Sequence, residues 1–238
     1  MKAKNLLIAC LIASHSIVTV KAQGTFENLG FESASPIAIA GDPYGRVQFD
    51  SAFPGWVGYI GGVQQTAALS NSVYLDSSGI SIIDNGWPSY LGPTAGVIEG
   101  GFTAILQAGV AGPFGTPADT TLSQTSLVPV GAQSLRFRSY SSPSFGSVSV
   151  LLGGQLLPLI PQSTGINYTL FAADIHTWQG QTAQLDFTVL APGAPGQIIN
   201  IFLDSIVFSP EAIPEPTASC LFGLGALFLG GRLWCKRT

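Results

Sequence analysis

From Gln23 to Pro210 the apolar positions fall in short runs, mostly alternating with polar ones and broken by Gly and Pro. Leu185-Asp-Phe-Thr-Val189 alternates strictly, which is the period of a strand with one face in a core. No long window repeats at the helical period. The pattern predicts strands near 47–53, 56–60, 72–75, 80–83, 102–108, 121–127, 133–140, 148–152, 155–159, 168–174, 183–189 and 200–208. Gly153-Gly154 lies between two of these runs and supplies the positive φ of a tight hairpin turn. Ala191-Pro-Gly-Ala-Pro-Gly-Gln197 reads as a surface loop before the last strand. The expected class is all-β, a sandwich of short strands over residues 23–210.

The two ends follow other rules. Lys2 and Lys4 precede an apolar segment from Leu6 to Val20, and Val20-Lys21-Ala22 places small residues before Gln23. Residues 1–22 therefore read as a secretory signal peptide cut between Ala22 and Gln23. Cys10 comes early for a lipoprotein site and is read as part of the discarded signal. At the other end, residues 211–238 carry Pro214-Glu215-Pro216, an uncharged run from Thr217 to Gly231, and then Arg232, Lys236 and Arg237. The prolines keep the approach extended. A helix would satisfy the backbone of the apolar run in lipid, and the terminal cations would hold that end on the cytoplasmic side. The 15 residues of the run would span about 22 Å, somewhat short of the hydrocarbon core, unless Arg232 snorkels and Leu233 and Trp234 extend the helix.

This arrangement resembles the PEP-CTERM sorting signal of bacteria that secrete extracellular polysaccharide. The resemblance is carried by Pro214, Glu215, Pro216, the apolar run and the basic tail with Arg232, Lys236 and Arg237. It implies two partners, the membrane and an exosortase that cleaves near the motif; the simpler alternative is a plain C-terminal anchor. The resulting expectation is an exported chain, anchored at the cell envelope or released to the surface or extracellular matrix.

Composition narrows the function. Between residues 23 and 210 the only strong bases are Arg46, Arg136 and Arg138, against acids spread from Glu27 to Asp204. Such a surface repels phosphate backbones, so nucleic acid is excluded as a partner. All three cysteines, Cys10, Cys220 and Cys235, lie in the terminal segments. The exported domain therefore has neither a disulfide nor a thiolate zinc site.

The body resembles galactose-binding-like, carbohydrate-binding jelly rolls. Asn28-Leu-Gly-Phe-Glu32, Pro54-Gly-Trp56, Ser134-Leu-Arg-Phe137, Val148-Ser-Val-Leu-Leu-Gly-Gly154, Tyr168-Thr-Leu-Phe171 and Phe202-Leu-Asp-Ser-Ile-Val-Phe208 carry the resemblance. It implies a jelly-roll β-sandwich and a structural Ca²⁺ tying the opening strand to the closing one, with Glu32 and Asp204 at those positions. Asp204-Ser205 departs from the double Asp usual in that family. A sugar site needs an aromatic face, and Trp87 and Trp178 lie in the most loop-like settings, whereas Trp56 reads as core. His176, the only histidine of the exported part, follows Asp174 by two residues but has no motif supplying an activated serine. No catalytic residue is assigned. The sequence reads as an exported, non-catalytic surface or matrix protein that contacts glycans. The alternatives are a dedicated carbohydrate-binding module and a secreted hydrolase working through paired carboxylates such as Glu27 and Glu32. A polysaccharide is the implied ligand.

Overall fold

A computed structural model describes residues 25–75, 77–88, 96–110, 117–142, 146–192 and 197–213. The predicted signal peptide with its Ala22–Gln23 cut lies outside these residues. So does the sorting signal, with Pro214, Glu215, Pro216, Arg232, Lys236 and Arg237. Among the described residues no helix is long and apolar enough to cross a membrane.

The chain forms β1 (Val47–Gln48), α1 (Phe49–Ala52), β2 (Val57–Ile60), β3 (Val63–Gln64), β4 (Ala67–Ser70), β5 (Gly79–Ile83), β6 (Thr103–Val110) and β7 (Pro117–Ala118). There follow β8 (Thr120–Leu127), β9 (Ser134–Ser142), β10 (Val148–Leu152), β11 (Gln155–Leu156), β12 (Ile160–Thr164), β13 (Thr169–Asp174), a 3₁₀ turn His176–Trp178, β14 (Thr182–Val189) and β15 (Ile198–Ser209). Two sheets result. The larger runs β1-β4-β5-β6-β15-β9-β13-β12, with β7 beside β6, and the smaller runs β11-β10-β14-β8-β2-β3. Pairing is antiparallel except between β4 and β5. The predicted β-sandwich is present. Residues with odd numbers in β14, such as Leu185, Phe187 and Val189, are buried, so the strict alternation read from the sequence is the inward face of a sheet.

Three predicted strands differ in detail. The run 47–53 stops being extended at Phe49, because one helical turn lets Phe49 and Phe53 stack at 5.1 Å with both rings buried. In a strand, residues four apart lie far beyond ring contact. The strand expected at 72–75 instead occupies Ala67–Ser70, where Ala68 and Leu69 are buried, while Leu75 is 90% exposed. The run 155–159 pairs only over Gln155–Leu156; Pro158 has no N–H for a ladder, and the chain restarts as β12.

The core between the sheets contains a chain of aromatic contacts. Phe171 stacks on Phe137 at 5.6 Å, Phe137 meets Phe187 edge-on at 5.2 Å, and Phe187 leads through Trp56 to Phe31 and Phe53. Trp56 is buried, as expected, and its indole N–H donates to the Asn28 carbonyl at 3.1 Å. Asn28 in turn donates through Nδ2 to the Pro54 carbonyl at 3.2 Å. The opening segment and the Pro-Gly-Trp turn, which look independent in the sequence, are thus tied directly to each other.

Candidate functional site

A cleft of about 560 Å³ opens at one end of the sandwich, between the two sheets. Its position follows from the strand registers. Phe137, Ser139 and Ser141 alternate along β9 towards the inside, opposite Thr169 and Phe171 on β13 and Ile201 on β15. Val148 of β10 faces them from the other sheet. Here the apolar alternation changes to hydroxyls, with Ser139 and Ser141 standing where Leu135 and Phe137 stand deeper in. The sheets consequently lack the side-chain volume to close on each other. Leu159, Thr164 and Ile166 form the rim, and Ile166 is 92% exposed. No described lining residue is charged.

The side of the cleft formed by the β12–β13 turn is held by a set of contacts. The Arg138 guanidinium lies 4.7 Å from the centre of the Tyr168 ring, a cation–π contact. Gly165 approaches the same ring so closely that a Cβ there would come within 2.5 Å of it and would have to displace the Tyr168 side chain. The Gly165 N–H donates to the Tyr168 carbonyl at 2.8 Å and closes the turn. Asn167 Nδ2 donates to the Val97 carbonyl at 3.0 Å. Arg138 also pairs with Glu99 and donates to Ser205 Oγ at 3.4 Å; the Glu99 hydrogen bond, opposed by partial burial and helped by the charge of Glu99, raises its pKa above the ordinary arginine value.

A second, smaller pocket of about 270 Å³ lies nearby and contains both predicted calcium ligands. β15 bulges after Asp204, with Ser205 at φ 53, and the opened backbone lets Ile206 N–H donate to the Leu29 carbonyl at 3.0 Å. The bulge turns the Asp204 carboxylate towards Gly30, beside Glu32. The two acids, 172 positions apart by their residue numbers, are thereby joined at one seam between the first and last parts of the domain. Both carboxylates accept from the loop before β6. Glu32 accepts from the N–H groups of Gly101 (3.0 Å to each oxygen) and Phe102 (3.3 Å). Asp204 accepts from Glu99 N–H (3.1 Å), Thr103 Oγ1 (2.7 Å) and its neighbour Ser205 N–H (2.6 Å). Burial pushes the Asp204 carboxyl up to about 6; the hydrogen bonds from Thr103, Ser205 and Glu99 oppose that shift, and the charge of Glu32 adds to it.

The two tryptophans singled out in the sequence lie elsewhere. Trp87 is 9% exposed and sits on the outer face of the larger sheet, 6.4 Å from Phe202 in a T-shaped contact, with Ile83 and Ile105 beside it. It offers no open aromatic face. The reason is visible in β6 and β15: Ile105 and Phe202 point outward, and the Gly86-Trp87-Pro88 loop covers them. Trp178 is half-buried against the core, and its indole approaches the backbone of the Gly153-Gly154 turn, where a Cβ on Gly153 would come within 2.9 Å of Nε1. It does not line the cleft. His176 and Asp174 bond to each other through Nδ1 at 2.8 Å on an exposed turn, remote from both pockets.

No protein-family model and no curated protein matches the chain. Among solved structures it is similar to the carbohydrate-binding module TmCBM61 in complex with β-1,4-galactotriose, at 11% sequence identity and a TM-score of 0.41, over 78% of this chain and 97% of that one.

Sequence reasoning missed the cleft residues. Phe171 looks like an ordinary inward strand residue, and nothing in Tyr168-Thr-Leu-Phe171 distinguishes a half-buried ring at an open end from one in the core. The one available signal was the run of hydroxyl residues from Ser139 to Ser142 along β9, where a closed core would require apolar side chains.

Proposed function

We propose that this chain is an exported, non-catalytic β-sandwich displayed at the cell surface or in the surrounding matrix, and that it contacts uncharged glycans through the inter-sheet cleft. The observation that carries the glycan reading is the cleft lining. It combines the half-buried Phe171 ring with the hydroxyls of Ser139, Thr164 and Thr169, and none of its described residues is charged. Sugars present C–H faces that pack on aromatic rings and hydroxyls that need partners, and pockets of roughly 300–1,000 Å³ suit small ligands. The test is retention of the full chain on immobilised neutral polysaccharides. Wild type is expected to be retained and Phe171→Ala to lose about tenfold or more in affinity. Equal retention of the two proteins counts against the cleft.

Export and sorting are supported by the order of Pro214-Glu215-Pro216, the apolar run and Arg232, Lys236 and Arg237. Mass spectrometry of the protein recovered from its native host is expected to find a C-terminus near Pro216. Recovery of Thr238 would indicate a plain anchor in place of exosortase processing.

Calcium belongs to this proposal at the seam. Glu32 and Asp204 would hold it with hard carboxylate oxygens. Gly30 lies beside both of them, since a Cβ there would stand in ordinary contact at 3.9 Å from Asp204 Oδ1 and from Glu32 Cγ. Among the described residues no group of three or more acids, histidines or cysteines is placed to hold a metal, so carbonyls and water would have to complete the shell. When bound, the ion would supply positive charge to the two acids and join the opening segment to β15. A melting temperature that EDTA leaves unchanged removes calcium and leaves the glycan reading intact.

A further inference from the structure

We infer that Tyr44, with Tyr74 and Arg46 beside it, forms a second contact for neutral glycans on the outer face of the larger sheet. This rests on the glycan reading above and adds a surface that the cleft does not use. Tyr44 lies in the loop before β1 and is 66% exposed. Its ring meets that of half-buried Tyr74 edge-on at 6.4 Å. The Arg46 guanidinium stands 5.6 Å from the centre of the Tyr44 ring. Neither tyrosine belongs to a cluster of the core, and neither lines the cleft.

Each ring is held by its own polar clamp. The Asp42 carboxylate accepts from the Tyr44 and Arg46 backbone N–H groups through Oδ1, at 2.9 and 3.1 Å. Through Oδ2 it accepts from Arg46 Nε and Nη2, at 2.8 and 2.6 Å. Ile39 N–H donates to the Arg46 carbonyl at 2.9 Å and closes the loop. Tyr74 is fixed by the buried side chain of Gln107 on β6, which accepts from its N–H at 2.9 Å and donates to its carbonyl at 2.6 Å. The Tyr74 ring lies on Gly79 of β5, where a Cβ would come within 2.9 Å of it. Leu106 and Ala108 belong to the inter-sheet core, so Gln107 between them faces outward, towards Tyr74. Rings already fixed before a ligand arrives lose little freedom on binding it.

The chemistry of this surface selects an uncharged ligand. The Arg46 side chain is 37% exposed, but Asp42 balances its charge within the loop, so a uronic acid or phosphate meets no net positive charge there. An acyl chain would strip water from the ion pair and the phenols and give no hydrogen bond in return. A sugar ring offers a C–H face to the Tyr44 ring, and hydroxyls to its phenol and to the exposed part of the guanidinium. The cleft opens between the sheets, whereas the tyrosines lie outside the larger one. One molecule bearing both contacts can therefore link two glycan chains.

The test is calorimetric titration of the full chain with neutral gluco-, galacto- and manno-oligosaccharides, using wild type, Tyr44→Ala, Tyr44→Phe and Phe171→Ala. For a series that binds, wild type should saturate at two ligands per protein. Tyr44→Ala removes an exposed loop ring outside the core and should saturate at one ligand, as should Phe171→Ala. Tyr44→Phe keeps the ring and should keep both sites, with affinity within about tenfold of wild type. Binding that Tyr44→Ala leaves unchanged overturns this inference and leaves the cleft reading standing. Binding that Tyr44→Ala abolishes and Phe171→Ala spares supports the outer surface and removes the cleft. Self-association in sedimentation that Tyr44→Ala abolishes, with no change in glycan binding, assigns the surface to a second copy of the chain and overturns the inference. Absence of binding to every neutral series overturns the glycan reading and this inference with it.

Discussion

Phe137→Ala is expected to lower the unfolding free energy by about 3–5 kcal/mol, the usual cost of removing a fully buried aromatic side chain from a core. Phe137 has no exposed surface and is in ring contact with both Phe171 and Phe187. Truncating it leaves a void between the sheets that the paired strands on either side of β9 cannot collapse to fill. No disulfide limits the damage, because the cysteines lie only at positions 10, 220 and 235. For a domain of this kind the loss is a large fraction of total stability. Urea denaturation followed by tryptophan fluorescence measures it. A midpoint within error of wild type would mean that the aromatic series does not hold the sheets together. Phe137→Leu, which keeps most of the volume, should lose much less.

The second large effect is on pH. Burial raises the folded Asp204 carboxyl from 3.8 to about 6, so between those values the folded protein holds a proton that the unfolded chain has released. Stability from this group is therefore fully present below about 4 and is lost as pH rises through about 6, amounting to about 3 kcal/mol over the window. Asp42 acts with the opposite sign and lower down: its hydrogen bonds from Arg46 hold its pKa near 2, so its contribution is lost only as pH falls towards that value. In calcium-free buffer the urea midpoint should fall as pH rises from 4 to 7, and Asp204→Asn should flatten that slope. A wild-type midpoint that rises across this range would show that the carboxylate is at ease in its seam. Saturating calcium at pH 7 should recover part of the loss if the ion binds there, because a cation favours the charged form of both acids.

Some of the molecule was legible beforehand because it depends on periodicity. The alternation in β14 and the Gly153-Gly154 turn are local properties, and the structure places both as expected. The switch to a helical turn at Phe49 was not legible. The same apolar spacing serves a strand, and only the neighbouring ring of Phe53 selects the tighter backbone. Trp87 was misread for a related reason: its Gly and Pro flanks mark a loop, but they do not say that the loop lies over Ile105 and Phe202. For Glu32 and Asp204 the family pattern supplied the pairing, and the bulge at Ser205 is what brings the carboxylates to one seam.

What the chain determined alone is what composition and short-range pattern can carry: between residues 23 and 210, strands in place of long helices and a body without cysteine or lysine. Only the tertiary structure decided which inward positions reach an open end and which are sealed. That depends on the sheet order that sets β9 between β13 and β15 and on the opposing sheet that ends at Val148. The physical reason is distance along the chain. Periodicity reports the direction a side chain takes from its own backbone, whereas a cleft is the space left between side chains from strands that meet only after the sandwich has closed.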